Sequence, residues 1–88
     1  MKTYTLHTDG GHGWIAVKLS ELDELGIRGK VSSYSYQRGE TAYLEEDCDL
    51  NIFFTAYEAK HGTQPKYAES YRDRSPIRNY ESYQAPVQ

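Results

Sequence analysis

Three groups of residues in this chain carry side chains with chemistry to offer. The first is His7, Asp9 and His12, two imidazoles and a carboxylate within six residues, a donor set of the kind that holds zinc. A hairpin turn at Gly10 and Gly11 argues against it. Asp9 and His12 then flank the turn while His7 lies down the arm opposite Trp14, and no Cys or carboxylate spacing completes a standard site. Turn and cross-strand packing are the default roles for these residues, and neither a metal nor another cofactor is expected. The second group is Cys48 with His61, a thiol and a base. Thirteen residues of one helix would separate them by about 20 Å, so Cys48 reads as a buried or idle thiol. The third, Gly10, Gly11 and Gly13, lacks the Lys-Ser/Thr pair and following helix of a phosphate loop. No catalytic constellation remains, and no enzyme is expected.

What the chain does concentrate is acid and tyrosine. Glu40, Glu45, Glu46, Asp47 and Asp49 crowd the approach to its best hydrophobic helix. Asp47 or Asp49 suits a helix N-terminus, where a carboxylate accepts from free first-turn amides. Capping leaves Glu40, Glu45 and Glu46 over, as a solvated rim or as a docking patch for a basic partner. Tyrosine offers rigid contact area with a polar tip, so nine Tyr against two Phe point toward recognition. Tyr4 and Tyr57 are expected to finish the core; Tyr34, Tyr36 and Tyr43 suit either the core or a contact surface.

These residues need elements to hold them. "TYTLHTDGGHGWIAVKL" reads as a hairpin whose turn draws on the positive-φ freedom of Gly10 and Gly11. That centring pairs His7 with Trp14, Leu6 with Ile15 and Tyr4 with Val17, and puts Tyr4, Leu6, Ile15, Val17 and Leu19 on one side, toward the core. "SELDELGI" is a two-turn helix with Ser20 as cap, Asp23 as the return partner, Gly26 as the left-handed stop and Ile27 folding back toward Leu22. "KVSSYSYQRGETAYLEE" is a second hairpin turning at Arg38 and Gly39, which pairs Tyr36 with Thr41 and Tyr34 with Tyr43. Its faces divide into Tyr34, Tyr36, Thr41 and Tyr43 against Val31, Ser33, Ser35, Ala42 and Leu44. From Asp47, the spacing of Leu50, Phe53, Phe54 and Tyr57 predicts the main helix, ending at Gly62. "SPIRNYESY" suits a short helix with Ser75 as cap and Pro76 first.

The fold class expected is α+β, in the order ββαββα, with one domain over residues 1–62 and a Tyr-rich tail over 63–88 packed on it or on a partner. Thirteen of the fifteen Leu, Ile, Val and Phe lie in residues 1–62, with only Ile77 and Val87 beyond. So thin a reserve makes the core lean on tyrosine. Residues 1–62 hold ten acids against six Lys and Arg, whereas 63–88 hold three against four. The net charge of −3 argues against non-specific nucleic-acid binding by the body. One Cys excludes an internal disulfide, and no apolar run is long enough to span a bilayer. A reducing, cytoplasmic setting in a host cell, away from membranes, is the simplest expectation.

The run "HTDGGHGWIAVKLSELDELGIRGKVSSYSYQRGETAYLEEDCD", with "SPIRNY", resembles a group of short phage and mobile-element proteins. Small, acidic, aromatic-rich proteins of such elements resemble inhibitors of host defence of the anti-CRISPR and anti-restriction kind. The resemblance implies a protein that acts without chemistry, occupying a nucleic-acid channel or locking its partner. On that reading the partner is a host protein or ribonucleoprotein complex with a basic surface, met by Tyr34, Tyr36, Tyr43, Glu40, Glu45, Glu46, Asp47 and Asp49. The alternative is a small nucleic-acid-binding accessory protein whose Lys66, Arg72, Arg74 and Arg78 contact phosphate while neighbouring tyrosines stack on bases.

Overall fold

The structure, a computed structural model, describes residues 2–86; Val87 lies outside them. Its strands form one mixed sheet of six in the order β5-β1-β2-β4-β3-β6. The class is α+β, and the two hairpins share that one sheet.

Strands β1 (Thr3–Thr8) and β2 (Gly13–Lys18) pair antiparallel with Leu6 opposite Ile15 and His7 opposite Trp14, as the alternation requires. The turn works differently from expectation, because neither Gly10 nor Gly11 has a positive φ. Asp9 shapes it: its Oδ1 accepts from the amides of Gly11 and His12, both at 3.0 Å. Side-chain capping of this kind is what Asp brings to turns.

Helix α1 (Leu19–Glu24) begins one residue before Ser20, which therefore does not cap it. Glu21 acts instead, its carboxylate accepting from the Lys18 amide at 3.1 Å and from the Tyr4 hydroxyl at 2.5 Å. Gly26 sits at φ +70° and Ile27 donates back to the Leu22 carbonyl at 3.0 Å, the expected C-terminal closure.

Strands β3 (Tyr36–Arg38) and β4 (Thr41–Glu45) turn through Gly39 and Glu40, one residue later than the sequence suggests. The pairs are Tyr36 with Tyr43 and Arg38 with Thr41. Gly39 has φ +59°, and a two-residue hairpin wants that left-handed residue at its first central position, so glycine leads the turn. Moving the turn by one changes each pairing by two and leaves the faces intact. Ala42 and Leu44 still face the core. Residues 31–35 form no strand, however, and Tyr34 sits on a turn instead of opposite Tyr43.

Helix α2 (Leu50–His61) buries Phe53 and Tyr57 and closes on Gly62 at φ +74°. Around Phe53 the rings of Tyr4 and Tyr57 stand edge-on, with centroids at 5.1 and 5.8 Å. They pack with Leu6, Ile15, Val17, Ala42 and Leu44 of the sheet and with Leu22, Ile27 and Val31.

Residues 63–86 are part of the sheet. Strand β5 (Lys66–Tyr71) pairs parallel with β1 along its whole length, and β6 (Glu81–Ser82) pairs with β3 on the other side. Between them the chain crosses the face opposite the helices through a 3₁₀ turn (Pro76–Asn79), with the Ser75 hydroxyl accepting from the Ile77 amide at 3.3 Å. Tyr83 then buries its ring in the core and donates to the Arg28 carbonyl at 2.5 Å. No helix among the described residues is long and apolar enough to cross a membrane.

Candidate functional site

The sheet has one face sealed by helices and one crossed, among the described residues, by the stretch 72–80. On that second face, alternation along β2, β3 and β4 presents Trp14, Tyr36, Tyr43 and Glu45, with Trp14 directly opposite Glu45. The turn after β4 brings Asp47 and Cys48 up beside them, and the β1–β2 turn brings His12. The result is a cavity of about 280 Å³ walled by Trp14, Tyr34 and Tyr36 and floored by acid. Nitrogen and oxygen atoms of His12, Glu45 and Asp47 come within 4.8 Å of one another there.

Its floor is built by hydrogen bonds that the sequence did not foretell. Asp49 stands at the N-cap of α2, but its side chain makes no bond to the helix amides, and Asp47 does not cap either. Asp49 is 1% exposed, and its carboxylate accepts from the Ser32 amide at 3.1 Å, from the Ser32 hydroxyl at 2.7 Å and from the Ser35 hydroxyl. Donors supplied by the 31–35 turn, two of them hydroxyls, take the place of the helix amides. Ser35 in turn accepts from the Glu45 amide at 2.9 Å, so Asp49 holds the end of β4 in place. Glu45 itself is 7% exposed, and its carboxylate accepts from the Asp47 amide at 2.8 Å.

Gly13 opens β2 instead of belonging to the turn, and it lies close under Glu46. A Cβ there would meet the Glu46 carboxylate at 2.8 Å, while the Glu46 amide bonds the Gly13 carbonyl at 2.9 Å. A side chain at this position would displace the exposed Glu46 carboxylate from its place over β2.

Arg78 forms one side of the cavity. Its Nε and Nη2 reach the two Asp9 oxygens at 2.6 and 3.0 Å, and its guanidinium lies 5.4 Å from the Trp14 ring centre. The Arg78 guanidinium, helped by the Gly11 and His12 amides, holds the Asp9 carboxyl far below the usual carboxylate range. This bidentate pair latches residues 72–80 across the sheet.

The expected acidic rim is therefore divided. Asp49 is buried away from any partner and Glu45 faces only the cavity, so neither belongs to an outer rim, whereas Glu46 and Asp47 are exposed. Glu40 lies at the far end of β4, five residues and about 17 Å away. The tyrosine set divides as well. Tyr34 is 71% exposed at the cavity mouth, Tyr36 is half-buried in its wall, and Tyr43 is covered by Tyr80 at 5.1 Å between centroids. Tyr43 instead lines a second, hydroxyl-rich cavity with His7, Thr8, Ser70 and Arg72. Burial first, then Arg72, pushes the His7 imidazole below its ordinary value.

His7, Asp9 and His12 do not converge, since Asp9 is spent on Arg78 and His12 turns to Glu45 and Asp47. Of the two roles expected for Cys48, a buried or an idle thiol, its exposure removes the first. Local desolvation, followed by Glu45, Asp49 and Asp47, pushes its thiol up, against the thiolate that a nucleophile needs. Of the basic residues of the alternative reading, Arg78 is engaged internally, while Lys66, Arg72 and Arg74 are exposed around the β5 edge.

No protein-family model matches the chain, and no curated protein or solved structure matches it significantly.

Proposed function

We propose that this protein is a non-enzymatic binding module that docks on a basic surface by taking a cationic side chain into the cavity between Trp14, Tyr34, Tyr36 and the carboxylates of Glu45 and Asp47. One observation carries the reading: three aromatic rings and two acids line one cavity of about 280 Å³. Ring faces attract a guanidinium or ammonium through their quadrupole, and the carboxylates neutralise its charge. Glu46 and Asp47 at the mouth add attraction at a distance, which speeds encounter. Proteins that handle nucleic acids carry the basic surfaces this chemistry seeks. A host nucleic-acid-processing defence complex is thus the partner class, and a small phage or mobile-element inhibitor of the anti-CRISPR kind is the role.

The test is affinity capture from host lysate with the wild-type chain beside Asp47→Lys and Tyr34→Ala. The reading expects a nucleic-acid-processing complex retained by the wild type, weakened by salt and lost from both variants. Identical retention by all three chains contradicts it.

A second reading rests on the β5 edge. Tyr67 and Tyr71 are 50% and 60% exposed there, beside Lys66 and Arg72. Stacking on those rings with phosphate contacts from Lys66, Arg72 and Arg74 would bind single strands with an affinity that falls steeply with salt. Oligonucleotide titration of a Tyr67→Ala/Tyr71→Ala chain separates this reading from the first, which requires no such binding.

A further inference from the structure

We propose that His12, Glu45 and Asp47 bind a divalent first-row transition-metal ion, zinc being the best-suited probe. Three independent observations point to it. The first is donor geometry: one ligand atom from each residue lies within 4.8 Å of the other two. A tetrahedral shell with bonds of about 2.1 Å sets its ligands about 3.4 Å apart. His12 and Asp47 are both exposed, so rotation of two free side chains closes the difference around a fixed Glu45.

The second observation is electrostatic. Glu45 is more than nine-tenths buried, yet no Lys or Arg pairs with it among the described residues, and the Asp47 amide supplies its hydrogen bonds. A carboxylate withdrawn from water without a counter-charge is costly. A bound cation removes that cost.

The third is the Trp14 indole. Trp14 is 2% exposed and lines the same cavity, and its Nε1–H has no acceptor among the described residues. Three protein ligands leave a fourth coordination position, and an anionic ligand there, such as the hydroxide that zinc stabilises near neutral pH, is the kind of acceptor that this N–H lacks.

An imidazole nitrogen in the donor set favours zinc, cobalt or nickel over magnesium and calcium, which prefer oxygen alone. The site does not depend on docking, but its consequence does. If Glu45 and Asp47 also receive a partner's cationic side chain, the ion and the partner compete, and metal supply regulates the docking described above.

Zinc titration of the full chain by calorimetry tests the site, with quenching of Trp14 emission by Co²⁺ as a second readout, since the indole lies 6.0 Å from the His12 ring. The proposal expects saturation at one equivalent, a raised melting temperature, no equivalent response to magnesium, and affinity lowered about tenfold or more in each of His12→Ala and Asp47→Asn. Both residues are exposed, so melting curves without metal should match the wild type. Absence of saturable zinc binding, or equal affinity in the variants, overturns the proposal. Zinc titrated against an arginine-rich peptide then separates the two readings. Peptide binding with no zinc binding overturns the metal site and leaves docking standing, whereas zinc binding with no peptide binding supports the site and counts against docking.

Discussion

The two faces of this sheet come from the same alternating strands and are put to opposite uses. One face meets α1 and α2 and buries Tyr4, Leu6, Ile15, Val17, Ala42 and Leu44 against Phe53 and Tyr57. The other meets, among the described residues, the narrow stretch 72–80, held down by buried Ile77 and by the Arg78–Asp9 pair. A wide apolar cover makes the first face a core. A narrow, largely polar cover leaves cavities on the second, and there the aromatic and acidic side chains remain within reach of a ligand.

If that division is right, substitutions on the helix side should act on stability and those on the open side on binding. Phe53→Ala should have the largest effect, a loss of about 3–5 kcal/mol, read by denaturant melts. A domain this small has little more than that to lose. Ile77→Ala should cost about 2 kcal/mol, at the low end for a buried isoleucine, because one side of its site is polar. It should also change Trp14 emission, which Phe53→Ala in the folded fraction should leave alone. A larger loss at Ile77 than at Phe53 would reverse the comparison.

The latch gives a smaller, pH-dependent effect. Asp9 is held low by Arg78 and turn amides, and Glu21 is held low by Lys2, Tyr4 and the Lys18 amide in spite of its partial burial. A carboxyl depressed in the folded state contributes stability that is complete above its ordinary value of about 3.9–4.3 and is lost as pH falls through the lower folded value. Melting temperature should therefore hold from neutral pH to about 4 and fall below it, with a shallower fall in Asp9→Asn. Identical acid slopes would show that the latch does not couple to folding. Smallest of all, replacing Glu46 and Asp47 by Lys should move stability by no more than about 0.5 kcal/mol, as exposed sites do, while abolishing attraction to basic peptides.

How far this division was legible depended on sequence distance. The β1–β2 register followed from local alternation, and the α2 face from its spacing. The β3–β4 turn slipped by one because the left-handed position had to fall on Gly39. Strand β5 was illegible for a different reason: "KYAESY" has no aliphatic larger than Ala, and its pairing partner β1 lies some sixty residues away. The acids and Tyr34 and Tyr36 of the cavity were visible as a local cluster. His12, Trp14 and Arg78 join them only through the turn folding on Gly13 and the return of residues 72–80, and no local pattern announces either. Asp49 misled because its position fits a helix cap, while three donors from Ser32 and Ser35 claim its carboxylate.

The most direct test of the open face is backbone amide NMR of the full chain during titration with a short arginine-rich peptide at low salt. The account predicts saturable shifts centred on His12, Trp14, Tyr34, Tyr36 and residues 45–48, absent in Asp47→Lys and suppressed by salt. Shifts centred on Lys66–Tyr71, or none at all, would contradict it.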